Sequence, residues 1–69
     1  MIEVFKTNAT NFEESQLIIN ALKSLIPEGK VNIDLNDCDK VLRIESNEIH
    51  IPSVVDMVTQ LGFFCETLL

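Results

Sequence analysis

The sequence is poor in basic residues and has no long hydrophobic run. Of its 69 residues, 5 are Lys or Arg and 11 are Asp or Glu, so the formal net charge is −6. The basic residues are scattered along the chain: Lys6, Lys23, Lys30, Lys40 and Arg43. Because phosphate backbones attract clustered positive charge, we expect no binding to nucleic acids. No apolar run approaches the roughly 20 residues of a membrane span, so we expect no membrane insertion.

Cysteines and catalytic patterns are also scarce. Cys38 and Cys65 are too few for a disulfide scaffold. Residues 1–3 contain no basic residue, so we expect no signal peptide and a cytoplasmic protein with reduced thiols. Since no nucleophile with a base, glycine-rich phosphate loop or carboxylate pair is apparent, we expect neither enzymatic activity nor a cofactor.

The hydrophobic pattern predicts a single domain over residues 1–69 with six elements. Alternating or strand-forming residues predict strands over 2–6, 31–35, 41–45 and 63–69. Apolar residues at helical spacing predict one helix that ends near Leu25 and a second from Pro52 to Leu61. With right-handed crossovers, the order βαββαβ predicts a ferredoxin-like α+β sandwich: a four-stranded antiparallel sheet with strand order 4-1-3-2 and two helices on one face.

The start of the first helix carries two candidate capping boxes. Thr10 and Asn11 are both good N-cap residues, and Glu13 and Glu14 follow them at the required spacing of three. Either pair would satisfy backbone N–H groups that a helix start leaves without partners.

Three segments resemble the heavy-metal-associated domains of copper chaperones and copper-transporting ATPases. They are the helical stretch 17–22, the strand 31–35 and the ending Leu61-Gly62-Phe63. The resemblance covers nearly the whole chain and implies the ferredoxin-like fold. The family's motif Gly-Met-x-Cys-x-x-Cys would place its two cysteines at Asn11 and Glu14, so the usual metal site is missing.

Asn11 and Glu14 are therefore interpreted as a structural cap. Copper(I) binds thiolates, which an amide and a carboxylate cannot replace. Asn11 would accept from the N3 amide, and Glu14 would reach back to the amide of Asn11. With Glu13, these residues also offer too few oxygens for calcium.

The two cysteines are weak candidates for a relocated metal site. The topology places Cys38 and Cys65 at the same end of the fold as the first loop. Intervening strands, at about 4.8 Å per step, would separate the two thiols by about 10 Å or more. Cys65 is expected to be a small buried core residue, Cys38 an incidental turn residue and His50 a surface or helix-entry residue.

The favoured interaction surface is the sheet face opposite the helices or the edge strands of the sheet. The strand alternation that we prefer places Phe5, Val41, Phe64 and Leu68 outward, which would make that face unusually apolar. A shift of one residue in any strand would turn its side chains to the other face.

We therefore expect a non-catalytic module without a metal, which forms a homodimer or binds a protein partner. The alternative is a soft-metal binding protein or chaperone for copper or zinc. It would use Cys38 or Cys65 from two chains, with or without His50.

Overall fold

Six elements follow the predicted order in the computed structural model, which describes residues 1–68. They are β1 (Ile2–Thr7), α1 (Phe12–Leu25), β2 (Lys30–Asp34), β3 (Val41–Glu45), α2 (Ile51–Gln60) and β4 (Cys65–Thr67). The last strand begins two residues later than the predicted range of 63–69, and residue 69 lies outside the described residues.

The strands form one antiparallel sheet in the order β2-β3-β1-β4. This order is the predicted one, read from the opposite edge, and it confirms the ferredoxin-like fold. Pro52 lies in the first turn of α2, where its missing N–H costs nothing. Gly62 follows that helix with φ 98°, a conformation that residues with a Cβ adopt at a cost.

The hydrophobic core lies between the helices and one face of the sheet. Seven large side chains are fully buried there: Phe5, Ile18, Leu22, Leu42, Ile44, Val54 and Val58. The helical members recur four residues apart, so each helix turns one apolar stripe toward the sheet.

The structure contradicts the outward placement of Phe5. Phe5 lies opposite Leu42 in the β1–β3 pairing and is fully buried with it. Directly opposite residues point to the same face, so Phe5 faces the helices. The outer face of β1 instead carries the alternating positions of Ile2, Val4 and Lys6.

The other three residues of the predicted apolar face differ in exposure and in their position relative to the strands. Val41 is half-buried at the start of β3, and Leu68 is half-buried just beyond β4, where its N–H donates to the carbonyl of Val4 (2.9 Å). Phe64 is 45% exposed but precedes β4, so it lies outside the strand. Arg43 and Glu66 also occupy exposed strand positions, which makes the outer face mixed in polarity.

Replacement of Phe5 by leucine tests this correction against the matched change at Phe64. Because Phe5 is fully buried, we expect Phe5→Leu to lower the free energy of unfolding by about 1–2 kcal/mol. Phe64→Leu should change it by less than about 0.5 kcal/mol. Urea denaturation followed by circular dichroism measures both values, and equal losses would argue against the burial of Phe5.

Candidate metal-binding end of the domain

Three connections meet at one end of the sheet, which we call the loop end: residues 8–11, 35–40 and 61–64. The N–H of Thr7, the last residue of β1, donates to the carbonyl of Asp39 (3.1 Å). On the other side, the N–H of Phe64 donates to Oδ1 of Asn8 (2.8 Å). The end of β1 therefore lies between the β2–β3 turn and the segment that leads into β4.

Thr7 fixes this arrangement through its side chain as well as its backbone. Its buried hydroxyl donates to the carbonyl of Lys40 (2.7 Å) and accepts a longer bond from the N–H of Ala9 (3.4 Å). Cys65 lies opposite Thr7 in the β1–β4 pairing. A single residue thus contacts the first loop, the hairpin turn and the last strand.

The first loop closes on itself through a helix cap. Asn11 Oδ1 accepts from the N–H of Glu14 (2.8 Å), which satisfies one donor at the start of α1. The capping-box pattern predicted that Glu14 would accept from the amide of Asn11, but Glu14 Oε1 makes no such bond. It accepts from the N–H and the hydroxyl of Thr10 (2.8 Å each), because Thr10 offers two donors to one oxygen.

These hydrogen bonds also favour the charged form of Glu14. The backbone N–H of Thr10 and then its hydroxyl lower the pKa of this carboxyl, against a smaller opposing effect of desolvation. The side-chain oxygens of Asn11 and Glu14 that make these bonds are thus engaged at the start of α1.

The hairpin turn brings together the side chains with the best potential to bind a metal. The ligand atoms of Asp37, Cys38 and Asp39 all lie within 4.8 Å of one another. Cys38 is exposed. Among the Cys, His, Asp and Glu residues of 1–68, these three form the group whose ligand atoms lie close enough together to hold one ion. Sequence reasoning named Cys38 as a weak metal candidate and did not name Asp37 and Asp39 as its partners.

Local hydrogen bonds shape this turn. The N–H of Asp39 donates to Oδ1 of Asp37 (2.8 Å), and Lys40 adopts a left-handed conformation with φ 46°. Lys40 Nζ donates to the carbonyl of Leu35 (2.8 Å), so its charge lies beside the backbone of the turn. This local conformation brings the side chains of Asp37 and Asp39 close to that of Cys38.

Lys6 is the nearest ion-pair partner of this cluster. Its Nζ lies 3.5 Å from Oδ1 of Asp39, and the two side chains are 46% and 39% exposed. An exposed pair of this kind contributes little to stability. The ammonium group can therefore move aside for another cation at little cost.

Cys65 and His50 lie outside the cluster. Cys65 is buried on β4, and desolvation raises the pKa of its thiol to about 11. His50 precedes α2, at the opposite end of the domain, with Nδ1 2.6 Å from the hydroxyl of Ser53. Neither residue belongs to the group of ligand atoms around Cys38.

Comparisons with known proteins support the fold. No protein family model and no curated protein match the chain. Among solved structures, it is similar to the yeast copper transporter domain Ccc2A, determined in solution in the apo and Cu(I)-loaded states. The match has a TM-score of 0.83 and 21% sequence identity, and it covers 99% of this chain and 94% of the other.

This similarity contradicts the function that the sequence favoured. The sequence pointed to a metal-free module for protein interaction or dimerisation, with metal binding as the alternative. The match is with a domain that has a Cu(I)-loaded state, so it favours the alternative. Separately, none of the helices within residues 1–68 has the length and hydrophobicity that a membrane crossing requires.

The lowered pKa of Glu14 predicts a pH-dependent contribution of its charge to stability. A carboxyl whose pKa is lower in the folded state stabilises the fold above its unfolded pKa, about 4.3, and loses this effect as the pH falls through the folded value. Glu14→Gln should therefore be less stable than the parent at pH 7, and the difference should shrink below about pH 4. Urea denaturation at several pH values measures the difference. A constant gap across this range would contradict the prediction.

The two thiols should differ in reactivity. With a pKa of about 11, only about one in a thousand Cys65 side chains is a thiolate at pH 8, and the residue is also buried. We expect a disulfide reagent to modify one thiol per folded chain rapidly and the second only in denaturant. Mass spectrometry of digested protein should assign the fast thiol to Cys38; rapid modification of both would contradict the burial of Cys65.

Proposed function

We propose that this domain binds a thiophilic transition-metal ion at the loop end, with Cys38 as the central ligand. The observation that carries the proposal is the convergence of the Asp37, Cys38 and Asp39 ligand atoms within 4.8 Å. The similarity to a copper transporter domain with a Cu(I)-loaded state supports it independently.

The proposed site differs from the Cys-x-x-Cys site of the heavy-metal-associated domains that the chain resembles. We align the two cysteines of that motif with Asn11 and Glu14, whose side chains bond to the start of α1 instead. The thiol is supplied by the neighbouring turn, which the hydrogen bonds of Thr7 hold against the end of β1. Metal binding thus stays at the loop end but moves to another connection.

The donor set favours zinc(II) in a single chain. One thiolate and two carboxylates, with water in the fourth position, match the ligands and the tetrahedral geometry that zinc adopts. Copper(I) prefers thiolates, so its binding would require Cys38 from a second chain. We therefore expect one zinc ion per chain, and one copper(I) ion for every two chains.

Exposure of the site suits a carrier of metal ions. Structural zinc sites are closed by four protein ligands, whereas Cys38 is exposed and its group contains three. An incoming ligand of another protein could therefore reach the ion. We place this activity in the reducing cytoplasm, where Cys38 would remain a thiol.

Metal titration of cysteine variants tests the proposal. Zinc(II) or copper(I) is added in reducing buffer against a chromophoric chelator, and native mass spectrometry measures the stoichiometry. Cys38→Ser should abolish competition with the chelator, and Asp37→Asn or Asp39→Asn should weaken zinc binding by about tenfold or more, because each removes a charged ligand.

Two controls separate this site from the alternatives. Cys65→Ala and Glu14→Gln should leave the affinity unchanged, because neither residue belongs to the proposed ligand group. The proposal fails if the parent protein does not compete with a weak chelator, or if Cys38→Ser binds as well as the parent.

A further inference from the structure

The strand β2 forms the longer of the two edges of the sheet. In residues 1–68 it pairs with β3 on one side, and no other strand lies beyond it. It contains five residues, with neither a proline nor a left-handed residue to interrupt pairing. The opposite edge, β4, has three residues. Edge strands present free N–H and C=O groups to other strands unless such features block them.

The residues of β2 are complementary to a reversed copy of themselves. The strand reads Lys30-Val31-Asn32-Ile33-Asp34. Consider antiparallel pairing with a second chain about a two-fold axis at Asn32. Lys30 then lies opposite Asp34 of the second copy, and Asp34 lies opposite Lys30 of that copy. Each dimer thus gains two pairs of opposite charges, which stabilise antiparallel strands.

The other face of the strand is complementary in the same register. Val31 and Ile33 are half-buried against the core, whereas their neighbours in β2 are exposed. Pairing about Asn32 places Val31 opposite Ile33 of the second copy, so apolar side chains meet on the helix side. A shift by one residue would place apolar side chains opposite charged ones, and a shift by two would lose both charge pairs.

We propose that a second copy of this chain pairs with β2 in this register and extends the sheet to eight strands. The contact is five residues long, so its area falls in the range of weak and transient interfaces. It does not involve Cys38, and the Cys38→Ser variant should dimerise like the parent. This proposal can therefore fail or succeed separately from metal binding.

A charge-exchange experiment tests the pairing and its register. Asp34→Lys places like charges opposite each other at both pairs of its own dimer, and Lys30→Glu does the same with the opposite sign. Each variant alone should raise the dimer dissociation constant by about tenfold or more in sedimentation measurements at low salt. An equimolar mixture restores opposite charges at both pairs, so it should form mixed dimers with an affinity close to that of the parent.

Asp56→Lys is the matched control for Asp34→Lys. It changes the net charge equally at an exposed position of α2, and it should leave dimerisation unchanged. Circular dichroism checks the fold, since Lys30 also lies opposite Glu45 of its own chain. Amide exchange of the parent protein gives a measurement without substitutions: exchange in residues 30–34 should slow as concentration rises.

Three results would overturn the proposal. The parent protein could sediment as a monomer up to about 1 mM, beyond the concentrations at which weak interfaces associate. Its dimer could be unaffected by both β2 substitutions, which would place the contact elsewhere. The two variants could also fail to form mixed dimers although both are folded, which would exclude the register about Asn32.

Discussion

The hydrogen bonds of Thr7 are the constraint on which the loop end depends. Its N–H and hydroxyl bind the carbonyls of Asp39 and Lys40, so the hairpin turn is tied to the central strand β1 as well as to its own two strands. Because Thr7 is buried, loss of its hydroxyl would leave polar groups without partners, which costs more than an exposed hydrogen bond contributes. The position of Cys38 thus depends on a residue more than thirty positions earlier in the chain.

The same end of the fold uses its acidic side chains in two different ways. Glu14 accepts two hydrogen bonds from Thr10, so its charge lies at the start of the helix and is compensated locally. Asp37 and Asp39 lie beside an exposed thiol, and the exposed Lys6 forms an ion pair with Asp39. A bound cation would reduce the charge repulsion between Asp37 and Asp39, whereas Glu14 needs no cation because its charge is already compensated. This contrast explains why the first loop can remain folded without thiolates while the hairpin turn is the better candidate for binding a metal.

The element order and sheet topology could be predicted because periodicity and the handedness of crossovers leave few alternatives. The orientation of β1 could not, since Ile2 and Val4 on one face and Phe5 on the other are all apolar, and alternation alone gives no preference. The pairing of Phe5 with the buried Leu42 decides it. The grouping of the aspartates of the turn with Cys38 could not be predicted for another reason. Their approach to Cys38 depends on the bond from Asp39 N–H to Asp37 and on the left-handed Lys40, neither of which has a sequence pattern of its own.

The hairpin of β2 and β3 carries both proposed contacts, and its geometry makes them compatible only for some metals. Antiparallel pairing about Asn32 places the two Asp34 residues about 14 Å apart along the strands, and the two turns beyond them point in opposite directions. Dimerisation through β2 therefore cannot bring two Cys38 thiolates to one ion. Zinc bound within one chain is compatible with this dimer. Copper(I) held by two Cys38 side chains would require a second, different contact between chains.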